Sequence, residues 1–273
     1  MSFRIALPSN ASLNYYPNNI PSNFTVNPSQ PFDGIGYECA LAEIIFPNRL
    51  INVRPNANTI VIRRMVKKKG ESDSIRETLT IPPGYYDTID KFLEAIEKAG
   101  LKKYVMKVGR NKEMRKTIAL TYDSAEGKVT VRTLYQFAIQ FASDIARLLG
   151  FPLAHDDVYD VRFSAIIEGE KKGDFHATTA GGLNTLYVYT DIIKEQFVGG
   201  ISAPLLRIIN INQKINNEEY TSKTFERLYF APLKSSHFDA INIRIYDDTG
   251  NLINFEYGKV VVILEFQKSP NAI

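Results

Sequence analysis

The chain has 273 residues, 44% hydrophobic, 23% charged and 11% aromatic, the aromatics being 15 Tyr and 16 Phe with no Trp; that balance describes a folded globular protein of one elaborated domain or two intimate ones and argues against extensive disorder. A net charge of +3, from 33 Lys and Arg against 30 Asp and Glu, is too small to argue for nucleic acid by itself. One cysteine, Cys39, excludes an intramolecular disulfide and a cysteine metal cluster, and points to a reducing compartment.

The first ten residues carry no charged and hydrophobic leader, so the glycosylation patterns Asn10-Ala11-Ser12 and Asn23-Phe24-Thr25 are read as accidental. Residues 13–58 are rich in Asn, Pro and Ser, a composition suited to extended arms and edge strands. Within them 37–46, with Cys39, Leu41, Ile44, Ile45 and Phe46, is the first core strand, and just after them 59–64, with Ile60 and Ile62 against Val61 and Arg63, is the second.

The middle stretch mixes strand and helix. Leu79-Thr80-Ile81 runs into the rigid turn Pro82-Pro83-Gly84-Tyr85-Tyr86. Asp87 then caps a helix whose Ile89, Phe92, Leu93 and Ile96 recur at helical spacing, with Gly100 placed to end it. Residues 117–122 and 128–133 alternate across a turn at 123–127 and read as a hairpin. Ser143 is placed to cap a short helix over 144–149, closed by Gly150.

Strands then return at 161–167, 186–190, 204–211 and 225–230. Residues 240–246 alternate Ile241, Ile243 and Ile245 with polar neighbours and break at Asp247-Asp248-Thr249-Gly250-Asn251, which reads as a β-hairpin. Val260 to Leu264 is apolar without alternation, as expected of a strand covered on both faces. Such apolar runs are far shorter than the roughly 20 residues that cross a bilayer, so no membrane insertion is expected. Turn signals spaced in this way fit a sandwich better than βαβ units.

The fold class expected is mainly β, a single jelly-roll β-sandwich with an inserted small α+β domain. Residues 1–66 would supply an N-terminal arm and the first strands, 67–152 the insertion, and 153–273 the remaining strands.

Catalytic motifs are missing: no phosphate-binding glycine loop, no His-Glu-x-x-His, no Gly-x-Ser-x-Gly. His155-Asp156-Asp157 offers metal-binding atoms, but consecutive loop residues rarely converge on one ion, and the solvated loop is preferred. Asp247-Asp248 is accounted for by its turn, and neither His176 nor His237 has an acidic or nucleophilic sequence neighbour. No catalytic residue, metal or cofactor is therefore assigned.

The one charge feature above background is Lys102, Lys103, Lys107, Arg110, Lys112, Arg115 and Lys116 against Glu113 alone. It could meet nucleic acid, an acidic protein face or a charged glycan. A solvated loop leading into a strand is the preferred reading, and Lys67-Lys68-Lys69 is explained equally well by solubility. Tyr187, Tyr189, Phe225, Tyr229 and Phe230 could line a carbohydrate cleft, but at strand spacing core and interface roles are preferred.

An ordered set of phrases resembles the minor capsid, or penton, proteins of virophages and the related Maverick/Polinton elements. They are Leu7-Pro8-Ser9-Asn10-Ala11-Ser12, Ala42-Glu43-Ile44-Ile45-Phe46-Pro47, Ile81-Pro82-Pro83-Gly84-Tyr85-Tyr86 and the 143–151 segment ending Leu148-Leu149-Gly150-Phe151. Later come Leu186-Tyr187-Val188-Tyr189-Thr190-Asp191-Ile192-Ile193, Val198-Gly199 leading to Ala203-Pro204-Leu205-Leu206-Arg207-Ile208-Ile209, Tyr229-Phe230-Ala231-Pro232-Leu233, and 247–266.

The resemblance implies a jelly-roll protein without enzymatic activity. It would form homopentamers at the fivefold vertices of an icosahedral virion beside a double jelly-roll major capsid protein, and assemble inside the infected host cell. It also implies that the insertion is displayed outward, where its basic segment could meet a host or giant-virus surface; no specific nucleic acid is expected. The competing classes are a jelly-roll carbohydrate-binding module for host attachment and, third, an enzyme with residues drawn from distant strands.

Overall fold

Side chains alternating in and out along extended segments build most of this chain, and a computed structural model describes residues 2–28, 30, 32–68, 71–108, 113–134, 136–154, 163–179, 185–211, 219–248 and 250–270. The main elements run β1 (Ser2–Pro8), β2 (Asn23–Val26), β3 (Tyr37–Pro47), β4 (Thr59–Lys68), β5 (Glu71–Thr80), α1 (Ile89–Lys98), β6 (Val105–Val108) and β7 (Glu113–Lys116). Next come β8 (Ile118–Asp123), β9 (Lys128–Thr133), β10 (Phe137–Phe141), α2 (Ser143–Leu149) and β11 (Thr185–Thr190). Finally there are β12 (Leu205–Asn210), β13 (Tyr220–Thr224), β14 (Ile241–Tyr246) and β15 (Val261–Lys268). They divide into two compact units, one from Met1–Leu50 with Leu183–Ile273, the other from Ile51–Gly182.

The first unit has two main sheets. One is ordered β1-β15-β3-β13, with the short Ala231–Pro232 strand also on β3; the other is ordered β12-β11-β14-β2. Every pairing within them is antiparallel. Counting this unit's eight long strands along the chain, the sheets read first-eighth-third-sixth and fifth-fourth-seventh-second. That is the strand order of a jelly roll, in which successive strands cross between sheets except for the adjacent fourth and fifth. Both sheets feed one core, with Leu7, Leu41, Ile44, Val262 and Phe266 from the first and Phe24, Leu186, Val188, Ile243 and Ile245 from the second. Each fully buried side chain of this size contributes about 1.5–3 kcal/mol.

Three expectations for this unit change. β14 and β15 are not partners: the turn after Tyr246 closes only the bridge Tyr246↔Leu252, and the chain then crosses to the other sheet. β15 is central in its sheet but shows alternating burial, with Val262, Leu264 and Phe266 inward and Val261, Ile263 and Glu265 half-buried outward, so it is covered on one face rather than two. The strand expected at 225–230 lies earlier, as β13, where Tyr220–Thr224 pair with Pro47 back to Glu43 of β3. Three other strands were not foreseen: β1, and the paired Gln196–Val198 and Ile201–Ala203.

In the second unit β4 pairs with β5 and β10, and the short Ile167–Glu168 strand completes that sheet; a second sheet joins Glu170–Lys172, β9 and β8. The hairpin expected at 117–133 is β8 with β9. The strand expected at 161–167 is reduced to the bridges Ala142↔Phe163 and Leu153↔Ser164 and the strand Ile167–Glu168, with 161 and 162 outside the described residues. β4 buries Ile60, Val61 and Ile62 in succession, so the expected opposition of Ile60 and Ile62 to Val61 does not hold there. α1 presents Ile89, Phe92 and Ile96 to a core completed by Ile118, Val131, Ile139 and Leu148.

The caps differ by one residue from expectation. Thr88 Oγ1 accepts from Lys91 N–H at 3.3 Å, while Asp87 holds the Lys91 ammonium at 2.7 Å. α2 begins at Ser143 after Ala142, with no side-chain cap, and ends at Gly150 in the left-handed region, φ +79°. Asp144, 5% exposed, accepts from the Arg54 backbone N–H and from its guanidinium at 2.7–2.9 Å. It thus ties the first turn of α2 to the chain entering β4.

Candidate functional site

The described parts of the basic segment lie in regular elements. Lys102 and Lys103 lie in a short 3-10 helix, Leu101–Lys103, ahead of the β6–β7 hairpin. There Lys107 is opposite Met114, Arg115 opposite Met106, and Lys116 opposite Val105. Arg110 and Lys112 fall outside the described residues, as does His155-Asp156-Asp157.

Several of its charges have carboxylate partners. The Lys103 ammonium and the Tyr104 hydroxyl both donate to Glu77, and Lys116 Nζ reaches Glu97 at 2.7 Å. The Lys103 hydrogen bond, then that of Tyr104, holds the Glu77 carboxyl below the usual range, while burial and then Glu77 push the Tyr104 hydroxyl up. The two lysine contacts are exposed, so each stabilises by about 0–1 kcal/mol.

The remaining polar candidates serve local structure. Asp247 Oδ1 accepts from Asn251 N–H at 2.9 Å and its carbonyl accepts from Gly250 N–H at 3.2 Å, closing a turn. His237 Nδ1 lies 2.8 Å from the Ser236 carbonyl and 3.6 Å from Asp33. His176 packs so close to Gly127 that a Cβ there would meet its Nδ1 at 2.7 Å. Among the described residues no three His, Cys, Asp or Glu side chains gather as metal ligands.

The richest surface is the outer face of the β12-β11-β14-β2 sheet. Alternation that sends Leu186 and Val188 into the core turns Tyr187 and Tyr189 outward, and the same alternation in β14 turns out Asn242, Arg244 and Tyr246. Register places Tyr187 opposite Tyr246 and Ile208, and Tyr189 opposite Arg244. The Tyr189 and Tyr246 rings meet edge to face at 5.6 Å, which favours both beyond simple burial. Burial, then the neighbouring Tyr187, pushes the Tyr189 hydroxyl up. Arg244 Nε is covered yet has no hydrogen-bond acceptor among the described residues.

At the sheet edge Arg207 stacks over Phe225 at 3.8 Å and Tyr229 at 4.7 Å. Of the five aromatics singled out by sequence, Tyr187 and Tyr189 thus share a face, and Phe225 and Tyr229 share a cation. Arg244, Arg207 and Tyr246 were missed. For Arg244 and Tyr246 the available signal was the period-two pattern of β14, which fixes their side of the sheet but not their neighbours.

This arrangement defines the class: a jelly-roll β-sandwich protein with a continuous α+β segment between its third and fourth sandwich strands. The structure is similar to a crystal structure of the selenomethionine-labelled mavirus penton protein, at 13% identity and a TM-score of 0.47, over 98% of this chain and 99% of that one. No protein-family model matches the chain. No curated protein matches it either.

Proposed function

We infer that this chain is a structural capsid protein, a penton that forms homopentamers at the fivefold vertices of an icosahedral virion. The observation that carries the reading is the jelly-roll order of the eight strands, a sandwich that presents two broad outer faces and two edges for lateral contact. Because one fold serves many functions, the residues must narrow the choice. The phrases resembling virophage and Maverick/Polinton pentons fall on ordered elements of both units: 42–47 in β3, 143–151 over α2, 186–190 in β11, 205–209 in β12 and 261–266 in β15.

A penton closes its ring by heterologous contacts and then meets a different shell protein, here a double jelly-roll major capsid protein. The second unit's basic hairpin, with Lys102, Lys103, Arg115 and Lys116 around it, is the candidate surface for host or giant-virus attachment. Light scattering tests the assembly: a mass near five times 30.9 kDa is expected, and co-assembly with a major capsid protein tests the vertex position. Particles carrying Lys102, Lys103 and Arg110 replaced by Ser should attach less well; unchanged attachment removes the role given to the basic segment.

The outward tyrosines Tyr187, Tyr189 and Tyr246 favour one second reading, a carbohydrate-binding jelly roll. Glycan-array binding by a monomeric protein is the result that would put this reading first.

A further inference from the structure

We propose that the outer face of the β12-β11-β14-β2 sheet is a subunit contact that seats on the outer face of the β1-β15-β3-β13 sheet of a second copy of this chain. The inference rests on the homopentamer reading and deepens it by naming the two faces.

The first face has the composition of an interaction hot spot. Tyr187, Tyr189 and Tyr246 form a rigid aromatic platform around Arg244, with Ile208, 47% exposed, beside Tyr187. Tyr and Arg dominate binding energy at interfaces because they bury much area at low entropy cost and keep a polar end. Three tyrosine hydroxyls and one guanidinium face outward from these strands, whose own outward residues include no carboxylate; Asp191, just past β11, lies near Arg244 with its Oδ1 engaged by the Asn242 N–H. Arg244 Nε is sealed beneath this face without an acceptor among the described residues, while the side chain as a whole is half-buried, so its charge can meet a carboxylate from outside.

The opposite face has the complementary chemistry. Outward from β15 and β3, Val261 pairs with Ile45 and Ile263 with Glu43, giving an apolar centre, and Glu265 borders it beside Arg4 at 2.8 Å. Glu43 Oε1 accepts from Ser222 Oγ at 2.6 Å, a neutral partner that leaves its charge to be matched.

Charge decides the mode of association. Two copies meeting through the tyrosine face would set Arg244 against Arg244, whereas a tyrosine face on a glutamate face pairs unlike charges. The two outer faces differ, so that contact is heterologous, and it closes into a five-membered ring when each copy is turned by a fifth of a turn from the last.

The test is the solution mass of the full chain by light scattering, with thermal unfolding followed by circular dichroism as a folding control. Wild type is expected at the pentamer mass, and Arg244→Glu and Glu43→Arg each at the monomer mass. The double variant, which swaps the charges in every interface, should regain the assembly. Tyr189→Ser, which leaves the charges alone, should raise the concentration needed for assembly at least tenfold.

A wild-type pentamer that persists in Arg244→Glu, Glu43→Arg and Tyr189→Ser overturns the assignment of faces and leaves the pentamer reading standing. A folded double variant that stays monomeric also overturns the pairing. A wild type that is monomeric at every concentration and salt overturns both readings, and glycan binding by that monomer, lost in Tyr189→Ser, would assign the tyrosine face to carbohydrate.

Discussion

At the scale of single residues, two groups carry more than their share of the fold. Asp144 is nearly sealed from solvent and satisfied by Arg54 alone among the side chains recorded around it, so Asp144→Ala leaves a guanidinium half out of water with its main acceptor gone. A loss of about 3–5 kcal/mol is expected in urea titration. Gly150 combines φ +79° with a Cβ position that would lie 2.3 Å from the Phe175 carbonyl oxygen. Gly150→Ala therefore adds a backbone clash to left-handed strain of about 1–3 kcal/mol, and the same titration reads the sum.

Asp191 works in the opposite sense. Burial pushes its carboxyl above the usual aspartate range, and the hydrogen bond from Asn242 N–H only partly offsets this. The folded state thus holds the proton more tightly than the unfolded chain. Stability is lost as pH rises from the unfolded aspartate value, about 3.9, through the raised folded one, and is level above it. Asp191→Asn keeps an acceptor for Asn242 and removes the buried charge. Its urea midpoint should exceed wild type at pH 7, and the difference should vanish toward pH 3.

At the scale of elements, the strands differ in how much each depends on a single anchor. β2 is only four residues long and holds its edge position through Phe24, 1% exposed, while the Asn19 side chain bonds both the N–H and the carbonyl of Thr25 on the open side. Phe24→Ala should cost about 3–5 kcal/mol and expose the flank of β14, seen as faster amide exchange at Ile245, whose N–H donates to the Ser22 carbonyl. The same elements show what the residues alone reveal. Ile241, Ile243 and Ile245 announce β14 because a half-buried strand has period two, and Ile89, Phe92 and Ile96 announce α1 because one helix face has period 3.6. Cap positions slipped by one because Asp87 and Thr88 are both good caps and only geometry chooses between them. The partner of β15 was misread because pairing with β1 and β3 is set by contacts more than two hundred residues away, which no local turn signal encodes. The β6–β7 hairpin was hidden by its charge, since Lys107, Arg115 and Lys116 obscure the alternation of Val105, Met106 and Val108. The tyrosine platform was legible as residue types at Tyr187 and Tyr189, but its arginine was not, because Tyr189 meets Arg244 only through sheet register.

At the scale of the whole molecule, the two units differ in how far the chain must travel to close them. The second is one continuous segment built on near-neighbour hairpins, with Lys68 opposite Glu71 in β4–β5 and Lys128 opposite Asp123 in β8–β9. The first is split, and its ladder joins the beginning of the chain to the end: Arg4 meets Glu265 across 261 residues, and β15 must insert between β1 and β3 before either sheet edge is complete. Closing long loops delays the contacts that reward them, and non-local β pairing is correspondingly slow. Folding of the second unit inside the longer loop shortens the effective span that the first must close. Pulse-labelled hydrogen exchange during refolding should therefore show amides of β4, β5, β8 and β9 protected before those of β1, β3 and β15. Leu264→Ala, in the last strand to pair, should leave the early phase unchanged while destabilising the native first unit by about 2–5 kcal/mol. Simultaneous protection of both sets, or a slowed early phase in Leu264→Ala, would show instead that the jelly roll closes around β15 from the outset.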